Sequence, residues 1–326
     1  MARLDWFANW FVVVAASHSA VAQTLAEAQA RYRGAGDSAD RMSALEVIAG
    51  VSPDESADAV AITEALARGL TAKDSAVRVH AIELLANKGP DRGAALDALR
   101  DYCDVVAKQL QQMTDKKRKA MVDINFPNFE GSKSQAEYLR KMSAGQKRLK
   151  DARDSLGLKV ATADPMIAAL AGVFDDRAID GLLALFKVRP SSGPILTALM
   201  EYKTRKVLAA ICARVVPHDK GVKERKQKLK KAVHQRPSRP PKYWRGTKDA
   251  WKEREEQRIA VAVETQESYL VQVQKARATV FDEVRAYAVR HMIAGVPKGN
   301  DSRALVVWQR RAAKSLPVTL SVVEKR

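Results

Sequence analysis

The sequence has few cysteines, and neither of them points to a metal site. Cys103 and Cys212 each lie in an apolar helical setting, with no second cysteine or histidine at ligand spacing. We therefore expect two free, buried thiols. A single long-range disulfide is the alternative if the chain is exported, because disulfides persist in oxidising compartments.

Sequence motifs of catalysis and nucleotide binding are also missing. The chain contains no G-x-x-x-x-G-K-[ST], G-x-G-x-x-G or G-x-S-x-G pattern. Its five histidines have no second histidine or cysteine three or four residues away; they are His18, His80, His218, His234 and His291. We therefore expect a protein that is not an enzyme, with no catalytic residues, no metal, no cofactor and no small-molecule substrate.

No stretch of alternating apolar and polar residues indicates a β-sheet. The chain is 46% hydrophobic and 29% charged, but only 6% aromatic, and it is rich in alanine. Small apolar side chains let helices pack closely against one another. The composition therefore predicts an all-α fold.

One helical pattern occurs twice in the sequence. Residues 74–86 read DSAVRVHAIELLA and residues 37–49 read DSADRMSALEVIA, with identity at 7 of 13 positions and an offset of 37 residues. In each copy the apolar residues fall on one helical stripe behind a capping aspartate or serine. A fixed period in this range is typical of stacked helix pairs.

This pattern resembles HEAT-type repeats, with D-x-x-x-R-x-x-A-x-x-x-[IL] in both copies. The positions that carry it are Asp37, Arg41, Ala44 and Ile48, and then Asp74, Arg78, Ala81 and Leu85. The resemblance covers about 37–110 and 162–216. It implies an α-solenoid in which these helices are the inner members of each pair, with the aspartate and arginine joining neighbouring repeats.

The order of patterns along the chain predicts six regions. These are a signal peptide at 1–22, HEAT-like repeats at 23–110, a long helical hairpin at 111–160, further HEAT-like repeats at 161–216, a basic proline-containing linker at 217–248, and a long coiled-coil-like helix with a C-terminal tail at 249–326.

The first 22 residues have the features of a secretory signal. A positive start precedes an apolar run, and Ala20-Val21-Ala22 fits a cleavage site before Gln23. The run is too short for a transmembrane helix, which needs about 20 apolar residues. We expect an exported protein, periplasmic or extracellular, that does not span a membrane. The alternative is an amphipathic first helix, which would leave the protein in the cytoplasm.

Positive charge is concentrated after residue 110. Residues 1–110 have a net charge of −4 and the remainder +22, and residues 217–248 alone carry twelve lysines and arginines against two acids. Lysine and arginine neutralise polyanions while aromatic rings stack on bases. The candidate polyanion-binding residues are Lys226, Lys228, Lys230, Lys231, Tyr243, Trp244 and Arg245.

Two functions follow from these patterns. The first is an exported scaffold whose solenoid surface binds a protein partner, because stacked repeats form long concave surfaces. The second is binding of nucleic acid or another acidic polymer or anionic surface through 217–258, and through the basic residues of 133–153 as a further candidate region. The segment from 236 to 246 also reads as a basic linker without a ligand.

Overall fold

The computed structural model describes residues 24–53, 56–125, 135–240 and 245–320. These residues form helices, turns and loops, with no β-strand among them, so the predicted all-α class is confirmed. The chain divides between Tyr202 and Lys203 into two compact units, called here the N-terminal and the C-terminal unit. The predicted signal peptide lies outside the described residues.

The N-terminal unit consists of eight helices within the described ranges. They are α1 (residues 24–34), α2 (Ser38–Ala49), α3 (Ser56–Ala67, followed by a 3-10 turn at Arg68–Thr71), α4 (Ser75–Lys88), α5 (Arg92–Asn125), α6 (Gln135–Leu170), α7 (Asp176–Val188) and α8 (Gly193–Leu199). Alternate helices contact each other in two rows: α2, α4 and α6 form one, and α3, α5 and α7 form the other.

The two copies of the repeated pattern begin with the same cap. Asp37 accepts a hydrogen bond from the backbone N–H of Asp40 at the start of α2, and Asp74 accepts one from Ala76 at the start of α4. Ser38 Oγ also donates to the Asp74 carboxylate. This bond directly links the beginnings of the two helices.

The arginine in each copy makes the same contact. Arg41 Nη2 donates to the carbonyl oxygen of Ala35 at 3.2 Å, and Arg78 Nη1 donates to that of Ala72 at 2.7 Å. In both copies the carbonyl lies six residues before the arginine. Each arginine therefore fixes the loop that enters its own helix.

The two alanines of the pattern are needed for close helix packing. Ala44 and Ala81 have no exposed surface. A β-carbon placed on Gly69, in the turn between α3 and α4, would lie 2.6 Å from Ala81 Cβ and 3.0 Å from Leu45 Cδ1. Backbone and side chains meet here without space for one more methyl group.

Helices α5 and α6 form the long hairpin, and α6 is longer than the sequence suggested. The chain has one continuous helix, Gln135–Leu170, where the sequence predicts a hairpin that ends at residue 160 and further repeats from residue 161; Pro165 lies inside this helix. A proline in a helix interior costs about 3 kcal/mol. Met166 and Leu170 are fully buried just beyond it, and burial of each contributes about 1.5–3 kcal/mol.

The C-terminal unit has four helices among its described residues: α9 (Arg205–Ala213), α10 (Val215–Val233), α11 (Lys248–Arg290) and α12 (Ser302–Ser315). The end of α11 packs with α9, which also contacts α12. Buried residues from the three helices form this core; they are Val207, Leu208, Ile211, Val280, Phe281, Val284, Tyr287, Leu305, Trp308 and Ala312.

Two buried polar contacts fix the start of α9 in this core. Tyr287 Oη donates to the carbonyl of Thr204 at 3.3 Å and accepts from the Thr204 N–H, also at 3.3 Å. The Arg205 backbone N–H donates to Pro317 O at 3.1 Å, and its Nε donates to Leu316 O at 2.8 Å. The chain after α12 is therefore bonded to the beginning of the unit.

Candidate polyanion-binding surface

Helices α10 and α11 form an antiparallel pair that carries most of the candidate residues. Contacts run in opposite directions along the two helices: Arg214 pairs with Glu283, and Arg277 Nε lies 2.5 Å from Asp219 Oδ1. Farther along α10, the Arg225 guanidinium lies 4.6 Å from the centre of the Tyr269 ring. The partner of the long coiled-coil-like helix is thus α10 of the same chain.

The pairing is close and regular. A β-carbon on Gly221 would lie 3.3 Å from Val273 Cγ1, so the two helices approach tightly at this point. The α10 residues that face α11 recur every three or four positions and are buried or half-buried; they are Val215, His218, Val222, Arg225, Leu229 and Ala232. This spacing is that of a coiled-coil seam.

Two polar residues that interrupt the apolar seam of α11 make specific contacts there. Gln266 Oε1 accepts a hydrogen bond from Arg225 at 3.4 Å. Arg277 binds Asp219 of α10 and also donates to Ser302 Oγ of α12 at 2.9 Å. One guanidinium therefore joins three helices.

The net charge of the protein lies on the C-terminal unit. Residues 203–323 carry 28 lysines and arginines against 11 aspartates and glutamates, whereas residues 1–202 carry 26 of each. The boundary between the units thus separates a neutral part of the sequence from one with a net charge of +17. From the sequence alone we place the change in charge near residue 110, because no proline- or glycine-rich segment marks the boundary between the units at residue 202.

Most acidic side chains of the described part of this unit pair with a cation or cap a helix. Asp219 and Glu283 pair with arginines between α10 and α11, and Asp301 caps α12 by accepting from the Arg303 N–H. The remaining pairs are Lys220–Glu224, Lys252–Glu256, Arg258–Glu255 and Arg285–Asp282. The acids therefore neutralise few of the exposed lysines.

All four predicted lysines of α10 are exposed, but they lie on two sides of the helix. Lys226 and Lys230, together with Lys223, line a groove of about 810 Å³ between α10, α11 and the beginning of α12. Lys228 and Lys231 do not line it. None of these five lysines makes an ion pair with the described residues.

The predicted linker is anchored where the structure describes it. Residues 235–240 have no regular secondary structure, but Ser238 donates to Glu255 Oε2 through its N–H at 3.1 Å and through Oγ at 2.7 Å. The Trp251 indole N–H donates to Ser238 O at 2.9 Å. Arg258 and then Ser238, the two largest influences, lower the pKa of Glu255 from 4.5 to about 2.

Of the remaining predicted residues of this region, only Arg245 is described; it is exposed before α11 and does not line the groove. Tyr243 and Trp244 lie outside the described residues. Arg303 also lines the groove, although it is not among the residues predicted from the sequence and lies 73 residues after Lys230. No local sequence signal links the two positions.

The cysteines do not form a reactive site. Cys103 and Cys212 are free and buried. Burial raises the pKa of the Cys103 thiol far above its ordinary value, and raises that of Cys212 to about 12. Both are therefore protonated at neutral pH and are poor nucleophiles. Among the residues that the structure describes, no three metal-ligating side chains cluster together.

Comparisons with protein-family models, with curated proteins and with solved structures give no significant match. The HEAT-type resemblance therefore stays a prediction. No helix within the described ranges is both long enough and apolar enough to cross a membrane.

Proposed function

We propose that this protein is a non-catalytic, exported binding protein whose C-terminal unit holds an acidic polymer. The observation that carries the proposal is the uneven distribution of charge: residues 203–323 have a net charge of +17, whereas residues 1–202 are neutral. Concentrated positive charge attracts polyanions and releases their counterions on binding.

The location of the acids supports this proposal. Asp219 and Glu283 pair with arginines between α10 and α11. Of the α10 lysines, Lys220 pairs with Glu224, whereas Lys223, Lys226, Lys228, Lys230 and Lys231 face solvent and make no ion pair with the described residues. Their cost is mutual repulsion, which a bound polyanion relieves.

A salt titration of binding by the full-length protein tests the proposal. On immobilised heparin, affinity should fall steeply with salt, with a slope on the order of one per contacting lysine. A variant with Lys226, Lys228, Lys230 and Lys231 replaced by alanine should bind more weakly and with a smaller slope.

The matched control makes the same change of charge in the N-terminal unit. Lys73, Lys108, Lys116 and Lys119 are exposed in the N-terminal unit, outside the candidate basic stretch 133–153. Their replacement by alanine should leave binding nearly unchanged. Equal losses in the two variants, or no salt dependence in the native protein, would refute a polyanion function of the C-terminal unit.

A second candidate function concerns the N-terminal unit as a scaffold for a protein partner. It is supported by the two rows of helices, in which α2 and α4 repeat the same cap and the same arginine contact. Repeats of this kind build extended surfaces for proteins. A pull-down with the full-length chain at physiological salt should recover one partner, and its capture should survive the four alanine changes on α10.

A further inference from the structure

The exposed lysines of α10 fall into two sets with different surroundings. Successive residues of an α-helix are rotated by about 100°. Lys223, Lys226 and Lys230 therefore share one side, and they line the groove between α10, α11 and α12. Lys220, Lys228 and Lys231 are equally exposed but lie outside it. One helix thus presents a set of lysines in a groove and a matched set on open surface.

The groove has a second positively charged wall on another helix. Arg303 of α12 lines it opposite the lysines, and its side chain makes no ion pair within the described chain. The walls are held by Arg277, which binds Asp219 of α10 and Ser302 of α12. This bridge is made by side chains of the chain itself, and it fixes the spacing between α10 and α12, the two helices that carry the four cations.

The dimensions of the groove suit a short stretch of a single polymer strand. Lys223 and Lys230 are seven residues apart, which is about 10 Å along the helix at 1.5 Å per residue. The groove volume is about 810 Å³, and its lining includes both Lys230 of α10 and Arg303 of α12. A strand lying along α10 would meet cations on both sides.

The remaining lining includes two acids that already have partners in the fold, since Asp219 is paired between α10 and α11 and Asp301 caps α12. Its uncharged side chains favour a polymer rich in hydroxyl groups. Gln227 and Asn300 line the groove, and Asn300 Oδ1 already accepts from Arg285, which leaves its amide N–H groups as donors. Among the residues that the structure describes, no aromatic side chain lines this groove, whereas single-stranded nucleic acids are held by base stacking on aromatic rings. Both described tryptophans make hydrogen bonds elsewhere in the unit.

We propose that this groove binds one strand of an acidic polysaccharide. Lys223, Lys226 and Lys230 on one side and Arg303 on the other contact its carboxylate or sulfate groups, and the amides of Gln227 and Asn300 bond its hydroxyl groups. The inference rests on the proposed polyanion function and adds the groove and the class of polymer to it.

The test compares two triple variants of the full-length protein that change the charge equally. The groove variant is Lys223→Ala, Lys226→Ala and Lys230→Ala; the outer variant is Lys220→Ala, Lys228→Ala and Lys231→Ala. Titration calorimetry with a heparin-derived octasaccharide gives the affinities. Each contacting lysine contributes about fivefold, so the groove variant should lose on the order of 100-fold and the outer variant only a few-fold.

A second pair of variants examines the opposite wall. Arg303→Ala removes a groove cation, while Arg310→Ala removes an exposed cation of the same helix that does not line the groove. Only the first should weaken octasaccharide binding, by about fivefold. Circular dichroism spectra and thermal melts of all variants establish that the fold is retained.

The outcomes separate the inference from the function on which it rests. Equal losses in the groove and outer variants overturn the groove while leaving a diffuse polyanion surface. Tighter binding of an oligothymidylate of equal charge, with the same variant pattern, overturns the polysaccharide class. No binding of either probe by the native protein overturns the proposed function itself.

Discussion

Gly69 offers the sharpest test of how the repeated helices pack. It lies in the 3-10 turn between α3 and α4, and an added β-carbon would lie 2.6 Å from Ala81 Cβ and 3.0 Å from Leu45 Cδ1. The first distance is far below van der Waals contact. Neither neighbour is the end of a long flexible chain, so Gly69→Ala should shift backbone or strain rotamers, at a cost of about 1–3 kcal/mol.

A double-mutant cycle identifies the contact responsible. Ala81→Gly alone should cost about 1–2 kcal/mol, through the lower helix propensity of glycine and the loss of a fully buried methyl group. Combined with Gly69→Ala it removes the closest clash, so the double variant should be more stable than the sum of the two effects by about 1 kcal/mol or more. The control is Gly36→Ala, where an added β-carbon would meet nothing within 4 Å; it should be neutral or slightly stabilising.

Hydrogen exchange followed by mass spectrometry suits this measurement. The described tryptophans, Trp251 and Trp308, lie in the C-terminal unit, so fluorescence does not report on the turn. A loss of about 2 kcal/mol appears as roughly 30-fold faster exchange in peptides of α2 and α4. Unchanged exchange in Gly69→Ala, or strictly additive effects in the cycle, would refute the packing described here.

Two further predictions concern the C-terminal unit. Arg277→Gln should destabilise it by about 1–3 kcal/mol, because Asp219 and Ser302 lose their shared partner; urea unfolding followed by tryptophan fluorescence measures this, with Lys275→Gln at an exposed position of the same helix as the comparison. The pKa of Glu255 is lowered to about 2, so its contribution is present above its unfolded pKa of about 4.5 and is lost as pH falls from there to 2. An NMR titration of its carboxyl carbon should have its midpoint near pH 2; a midpoint near 4.5 would contradict the contacts to Ser238.

The elements predicted best from the sequence are those whose pattern is repeated or long. The copies at 37–49 and 74–86 match α2 and α4 closely, because each carries its own cap and apolar stripe. The seam of α11 is also visible, since apolar residues recur at coiled-coil spacing over a helix of 43 residues. Local sequence determines these features, so local reasoning finds them.

The partner of that seam is not visible in the same way. The seam of α10 includes Arg225 and His218, and many lysines lie between its positions, so its low apolar content indicates a linker rather than a packed helix. The polar contacts described above between the two helices join residues 41 or more positions apart, such as Arg225 with Gln266 and Asp219 with Arg277. Gln266 and Arg277 interrupt the seam in sequence but bind across it in space.

The candidate site shows the same division between local and distant information. The sequence identifies Lys226, Lys228, Lys230 and Lys231 as one basic cluster. Only the fold separates the lysines in the groove from those on the open surface, and only the fold adds Lys223 and Arg303. The rotation of successive residues along α10 places its lysines on different sides of the helix. The contact of α12 with α10 brings Arg303 to the groove.

The internal use of acidic residues in the α10–α11 pair has an evolutionary consequence. Asp219 and Glu283 hold the two helices together from within, whereas the lysines outside make no such bonds. Substitutions of those lysines therefore change the strength of attraction for a polyanion without weakening the helical pair. Selection can therefore adjust ligand affinity and structural stability in this unit almost independently.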